Sequence, residues 1–431
     1  MKGKRMGYTI FPVKLRIAFA ILVLILFTSM ASGQEKVLYN FYDVGGSVLP
    51  VAGVISDAAG NLYGTTFYGG AYGNGMVFEL SPEAGGWKQT VLHSFNWDGI
   101  DGFWVTGGLV FDTAGNLYGT TQFGGTGNCT SAIGGCGTVF ELSPSASGEW
   151  TETILHNFQG SDGFEAHAGP IIDAAGNLYG TMASGGSFGQ GTVYELSPAA
   201  SGWTEKTLHH FTGGDDGGVP YGSLLLDAAG NLYGMASAGG GSTAACRYGC
   251  GTVFELSPGT NGQWTGKALH SFSKNLNDGH YPYAGLILDA AGNLYGSTLE
   301  GGGTGKNNRG IVFELRPRVD GSGKWTAKIL HNFNEQLDDG VNPSGTLIFD
   351  ASGNLYGVTL VGGASGGGTV FKLTPIANGP WAETIVHQFG KGGVDGDNPN
   401  AGLIFGTSGD LFGTTGQGGT YNEGTVFEVK P

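Results

Sequence analysis

The sequence predicts an all-β protein: a seven-bladed β-propeller of four-stranded blades, closed by an N-terminal strand that completes the last blade. Three observations predict it. A phrase of the form AGNLYG recurs seven times at intervals of 54 to 62 residues, marked by Asn61, Asn116, Asn177, Asn231, Asn293, Asn354 and Asp410. Repeats of this length built from short strands and Gly turns belong to arrays or rings. Each copy also grades from an unbroken apolar strand to an alternating one, as a blade does from axis to rim. Finally, the two chain ends carry complementary fragments of one repeat.

The copy from Gly107 to Phe158 shows the elements in order. Leu-Val-Phe-Asp opens it, and its sisters read Leu-Leu-Leu-Asp, Leu-Ile-Leu-Asp and Leu-Ile-Phe-Asp. Apolar runs without alternation predict a first strand buried on both faces. Asp112-Thr113-Ala114-Gly115-Asn116 is hairpin chemistry, with Gly where positive φ is needed. Leu117 to Thr121 is the second strand, and a Gly-rich loop of variable length follows. The third strand, Gly137 to Leu142, stops at Ser143-Pro144, because Pro cannot donate to a ladder. The fourth runs from Trp150 to Phe158 and alternates, so one side is less buried. First strands are expected to start near residues 52, 107, 168, 222, 284, 345 and 401.

The ends choose between a ring and an open solenoid, which would need caps. The seventh copy stops at Gly424-Thr425-Val426-Phe427-Glu428-Val429, after its third strand. Lys36-Val37-Leu38-Tyr39-Asn40-Phe41 matches the fourth-strand phrase Thr90-Val91-Leu92-His93-Ser94-Phe95. One fragment supplies what the other lacks, and closure removes two exposed sheet edges.

Residues 1–33 read as an export signal. Lys2, Lys4, Arg5, Lys14 and Arg16 precede an apolar run from Ile17 to Phe27, and Ala31-Ser32-Gly33 offers small residues for cleavage. That run is short for a bilayer span, which takes about 20 residues. The expectation is a secreted or periplasmic protein with no stable membrane insertion after cleavage; an uncleaved N-terminal anchor is the alternative. Residues 34–431 then form a single propeller, expected as a monomer. Removing the five basic leader residues from the total of 20 leaves 15 against 35 acidic ones, a net charge of −20. Such a surface repels phosphate backbones and argues against nucleic acid as a partner. Four cysteines in an exported chain favour disulfides, and the close pairs Cys129 with Cys136 and Cys246 with Cys250 suit local bridges across two long loops.

These phrases resemble the GloVer tandem repeat, a family of exported bacterial proteins. The resemblance runs through all seven copies, in the pairing of Gly-Asn-Leu-Tyr-Gly with Gly-Thr-Val-Phe-Glu-Leu. It implies a secreted or surface protein, often with a C-terminal sorting anchor, and no established activity. This chain departs from that pattern at Lys430-Pro431, which points to free release or periplasmic residence.

In an antiparallel four-stranded unit the long second-to-third loops and the inter-blade links share one face, where a ligand is expected. The residues that break the repeat there are the candidate binding set: Trp97, Phe103, Trp104, Glu165, His167, His280 and Tyr281, with Tyr68 and Tyr72 nearby. Exposed aromatics beside polar groups suit sugar rings, and they also serve simply to cover blade ends. Six histidines (His93, His156, His209, His270, His331, His387) recur on outer strands and read as structural hydrogen-bonding residues, and the Trp residues that open those strands read as packing anchors. A second series, Asp101, Asp162, Asp216, Asp278, Asp339 and Asp395, precedes Gly in the links. Turn chemistry explains it; a shallow acidic ring holding a hydrated cation is the sharper alternative. There is no Gly-x-Ser-x-Gly elbow, His-Glu-x-x-His or phosphate loop, and no cofactor is predicted. The expected function is therefore a non-catalytic binding or scaffold module for a glycan or cell-surface protein. The alternative is a polysaccharide hydrolase or lyase at the axial mouth, using Glu165, His167 and His280 with an aspartate of the Asp-Gly series.

Overall fold

The seven blades follow one another in chain order, and in each the strands run outward from the axis in sequence order. The structure, a computed structural model, describes residues 35–431 apart from 44–46, 130–133, 242–245, 273–277, 304–307, 321, 335–338, 378, 380 and 391. The export signal expected at 1–33 lies outside the described residues. Blade 1 comprises Ile55–Ser56, Leu62–Thr66, Met76–Glu83 and Gly86–Ser94. Blade 7 takes Ile404–Phe405, Leu411–Gln417 and Thr425–Val429 from the C-terminal end and Glu35–Asn40 from the N-terminal end.

That last pairing closes the ring. Glu35–Asn40 runs antiparallel to Thr425–Val429, from Glu35 opposite Val429 to Asn40 opposite Thr425. The backbone N–H of Phe41 then donates to the Gly424 carbonyl at 3.1 Å. The closing strand also carries the irregularity that marks every other outer strand. Its register shifts between Val37 and Tyr39, as the outer strand of blade 1 shifts between Val91 and His93. The extra residue, Leu38 or Leu92, turns into the core while the flanking positions keep their faces.

The pairing of the two sequence phrases has a steric cause. Gly64 lies opposite Phe78 across the second and third strands, and a Cβ on Gly64 would sit 2.6 Å from the Phe78 ring. The glycine of Leu-Tyr-Gly is the seat of the phenylalanine of Thr-Val-Phe. The Asp-x-x-Gly-Asn turn is likewise a closed unit. Asp57 Oδ1 accepts from the backbone N–H groups of Ala59 and Asn61, and Oδ2 accepts from Asn61 Nδ2 and Tyr63 Oη. Burial alone would raise the sister carboxyl of Asp112; the hydrogen bonds it accepts outweigh that and hold it below the usual range.

The first strands differ from the expectation of burial on both faces. Regular pairing starts about three residues later than expected in six blades, at Ile55, Val110, Ile171, Leu225, Ile287 and Ile404. Those residues are only half-buried, and Ile55, Val110, Ile171 and Ile404 line an axial cavity, whereas neighbours such as Val54, Leu109 and Leu403 are buried in the clusters between blades. The strands read as continuously apolar because both the seam and the cavity wall are apolar. The small residues before them, such as Ala52-Gly53 and Ala168-Gly169, let adjacent blades meet backbone to backbone. A Cβ on Gly169 would lie 1.8 Å from the Gly108 carbonyl oxygen. Hydroxyls clasp the same contacts: Thr65 donates to the Gly107 carbonyl at 3.0 Å, and Thr414 donates to that of Ala52 at 2.9 Å across the closing seam.

Outside the axis each seam is filled by aromatics. Tyr63 of blade 1 meets Trp150 of blade 2 with ring centroids 6.3 Å apart, and Tyr179 meets Trp264 at the same distance. The Trp residues that open the outer strands are seam fillers.

Candidate functional site

Every inter-blade link makes the same turn toward the axis. One residue in each adopts a left-handed backbone: Leu49, Trp104, Glu165, Val219, Tyr281, Asn342 and Asn398, with φ between 49° and 63°. Side-chain-bearing residues pay roughly 1–3 kcal/mol for this conformation. It persists because the backbone is pinned; the carbonyls of Trp104, Glu165 and Tyr281 accept from Gln122 N, Ala183 N and Leu299 N at 3.0, 3.1 and 3.0 Å. The kink delivers the residue two positions on to the cavity wall: Val51, Thr106, His167, Tyr221, Tyr283, Ser344 and Asn400.

The cavity so formed has a volume of about 810 Å³ and a mainly apolar wall. Blades 3 to 5 give it an aromatic arc. His167 and Tyr221 have ring centroids 4.2 Å apart, and Tyr221 and Tyr283 are 4.7 Å apart. Burial pushes the His167 imidazole down to about 4, so the ring is neutral near pH 7. Its Nε2 lies 3.3 Å from Gln122 Nε2, where the amide donates to the unprotonated nitrogen. Glu165, two residues before the wall residue His167, accepts from Ser184 Oγ at 2.8 Å. Burial, then the Glu165 carboxylate, raises the Tyr221 hydroxyl.

The aromatic set of the first link forms a second feature. Trp104 stacks on Phe67 at 5.1 Å and meets Phe123 edge-on at 5.7 Å. Trp97 lies 5.2 Å from Phe103 and is 59% exposed. Phe103 is 0% exposed and His280 4%, so neither offers a contact surface. Phe103 props the two tryptophans from below, and His280 Nε2 bonds Asn308 Oδ1 at 3.1 Å. No hydrogen bond or ion pair among the described residues joins Glu165, His167 and His280, which stand in two different links. The wall residues Tyr221 and Tyr283 escaped the sequence reading; Pro220-Tyr221 and Pro282-Tyr283, a repeated Pro-Tyr at the end of two links, was their signal.

The Asp-Gly series does not form an acidic ring at the mouth. Each carboxylate is taken up by the histidine of its own blade. His93–Asp101, His156–Asp162, His209–Asp216 and His387–Asp395 lie at 3.2, 2.9, 3.1 and 3.2 Å, and His270–Asp278 and His331–Asp339 at 3.3 and 3.6 Å. A third group varies by seam. At one register position the next blade's outer strand places Glu152, Glu205, Glu383 or Glu35 in four seams, and Gly266 or Ala327 at that same position in two others. At the closing seam Tyr39 Oη instead donates to Gln89 Oε1 at 2.9 Å. At His93 and His209 burial lowers the imidazole and the carboxylates raise it. At His93, with both Asp101 and Glu152 beside it, the carboxylates win; at His209, which faces Gly266, burial wins.

Burial, then Asp395, lifts the Glu35 carboxyl to about 7, and burial lifts that of Glu205. An acid raised on folding opposes folding once it ionises. Below the unfolded value near 4.5 both states hold the proton and nothing is lost. As pH climbs, the unfolded chain releases it first and stability falls; for Glu35 the full cost stands above about 7. Solvent screening at these half-buried sites trims the cost to about 1 kcal/mol each. Glu35→Gln and Glu205→Gln together are therefore expected to be more stable than the native protein at pH 8 and equal to it at pH 4.5. Urea melts at the two pH values measure this, and equal gains at both would refute it.

Two disulfides tie off long loops, Cys129–Cys136 and Cys246–Cys250, as the sequence led one to expect. They fit an oxidising, extracytoplasmic compartment. The profile of the Gloeobacter/Verrucomicrobia repeat matches residues 25–245, 128–321 and 241–431. The chain belongs to this repeat family. No curated protein matches this Gloeobacter/Verrucomicrobia repeat protein. Among solved structures it is similar to PorZ of Porphyromonas gingivalis, described as an essential bacterial surface component of the type-IX secretion system. Identity is 13% and the TM-score 0.51, over 91% of this chain and 47% of PorZ, so the repeat protein spans about half of that relative. A putative oxidoreductase (glucose dehydrogenase) of Thermus thermophilus aligns at 13% identity with a TM-score of 0.41, over 92% of this chain and 100% of the other. At 13% identity the likeness to PorZ is one of fold.

Proposed function

We propose that this protein is an exported, non-catalytic binding module, secreted or periplasmic, that holds a surface glycan or surface protein through its long-loop face. One observation carries the reading. Of the twelve most exposed large apolar side chains among the described residues, all but Val91, Val319 and Ile376 emerge from that face. Tyr42 and Tyr421 pair there at 4.7 Å, and Trp97, Tyr72, Phe188 and Tyr248 stand apart on other loops. An apolar surface concentrated on one side of a rigid disc favours contact with a partner. The opposite face is built from the self-satisfied Asp-x-x-Gly-Asn turns and offers little to a ligand.

A glycan array and pull-downs from envelope extracts, both using residues 34–431, test the proposal. Trp97→Ala with Trp104→Ala is expected to weaken capture at least tenfold, since aromatic anchors dominate such contacts. Capture that survives the double substitution would exclude this part of the face.

A further inference from the structure

Two of the blade seams hold a histidine and two carboxylates that converge without enough donors between them. In one, His93 comes from the outer strand of blade 1, Asp101 from the following link and Glu152 from the outer strand of blade 2. In the other, His331, Asp339 and Glu383 occupy the same positions of blades 5 and 6. Each trio offers one nitrogen and two oxygens lying within 4.8 Å of one another. His93 Nε2 is 3.2 Å from Asp101 Oδ2 and 3.5 Å from Glu152 Oε2. His331 Nε2 is 3.6 Å from both Asp339 Oδ1 and Glu383 Oε2.

We propose that these two seams each bind a divalent metal ion of the zinc class, tying neighbouring blades together. A four-coordinate ion with bonds of about 2.1 Å keeps adjacent donors about 3.4 Å apart, close to the separations found. One imidazole with two carboxylates is a borderline donor set that such an ion accepts, and a water completes the tetrahedron.

The hydrogen bonding points the same way. Asp101 Oδ1 and Glu152 Oε1 are buried and have no hydrogen-bond partner, and the same is true of Asp339 Oδ1 and Glu383 Oε1. The Asp101 and Asp339 side chains are 11% and 8% exposed. Among the described residues the only ion-pair partner of Asp101 and of Glu152 is His93. A single imidazole thus faces two carboxylates in a half-dry seam, an excess of acceptor oxygens over donors that a cation relieves. The recurrence of the trio and of its unpartnered atoms four blades away makes an accident of one side-chain placement a poor explanation.

Two further seams carry a glutamate at the Glu152 position, Glu205 and Glu35, but neither converges on its His–Asp pair as these do, and Glu205 accepts from Thr207 Oγ1 at 2.9 Å instead. Two others supply the controls. Gly266 and Ala327 stand where Glu152 stands, and those seams keep their His–Asp pair without the third ligand. The fold thus already accepts alanine at this position.

Tag-free protein spanning residues 34–431, stripped with chelator, would be titrated with zinc chloride by calorimetry, with elemental analysis of the dialysed product. Two ions per chain are expected. Glu152→Ala and Glu383→Ala should each remove one, with affinity at that seam at least 100-fold weaker, and the double variant should bind none. Glu205→Ala should keep both ions. Zinc should also raise the melting temperature of the native protein and leave that of the double variant unchanged. If the double variant fails to fold, the native stoichiometry and zinc-dependent melting still decide. No retained zinc, or binding indifferent to Glu152 and Glu383, overturns the proposal.

Discussion

A chain lacking residues 34–43 is expected to lose cooperative folding, although it keeps all but one strand of the seven blades. Those residues provide the outer strand of blade 7, and their removal leaves Thr425–Val429 as an open edge. They also carry Leu38 and Phe41, which are buried in one cluster with Val48, Val54, Leu62 and Phe78 of blade 1. The loss therefore opens the last blade and uncovers the flank of the first. Phe41 meets Phe78 edge-on at 5.1 Å, so Phe41→Ala by itself should cost about 3–5 kcal/mol. Circular dichroism and size-exclusion chromatography would follow the truncated chain, and denaturant melts the point variant. A truncated monomer that melts sharply at the native temperature would show that the ring does not depend on this strand.

That closure was legible because Leu38, Tyr39 and Phe41 repeat a phrase found six more times. The copies differ at the position of Tyr39, where the others have histidine, and the structure explains the exchange: its seam partner is Gln89 and no aspartate is needed. The histidine and aspartate series were each visible, yet their mutual pairing was not read, although His156 and Asp162 stand only six residues apart. The seam glutamates were out of reach, because Glu152 meets His93 only through the register of a different blade. Burial of the irregular residues was equally hidden. Phe103 and His280 break the repeat as visibly as Trp97 does, but the local sequence does not say which side of the link they take. The left-handed ring left no mark at all, since Leu49, Trp104, Glu165 and Val219 share no chemistry.

The crowding at the axis makes the second large prediction. Gly169→Val should destabilise the protein by more than about 3 kcal/mol, the upper end of ordinary overpacking. The backbone torsion at Gly169 is an ordinary one, so the cost does not come from a disfavoured φ. It comes from position: the added Cβ would lie 1.8 Å from the Gly108 carbonyl oxygen and 2.7 Å from its carbon. Backbone cannot rotate away as a side chain can, so blades 2 and 3 must separate. Separation strains the Thr120 hydroxyl, which clasps the Ala168 carbonyl at 3.0 Å, and shifts His167 next to it. The same substitution should therefore disturb the mouth as well as stability. Gly230→Val is the contrasting case. Its turn is solvent-facing, with only the Pro258 ring 3.8 Å away, and its penalty is confined to a positive φ of 84°. Thermal melts of the two variants, with tyrosine fluorescence as a reporter of the arc of Tyr221 and Tyr283, separate crowding from backbone strain. A Gly169→Val protein as stable as Gly230→Val would mean that the inner strands are not packed as tightly as this geometry requires.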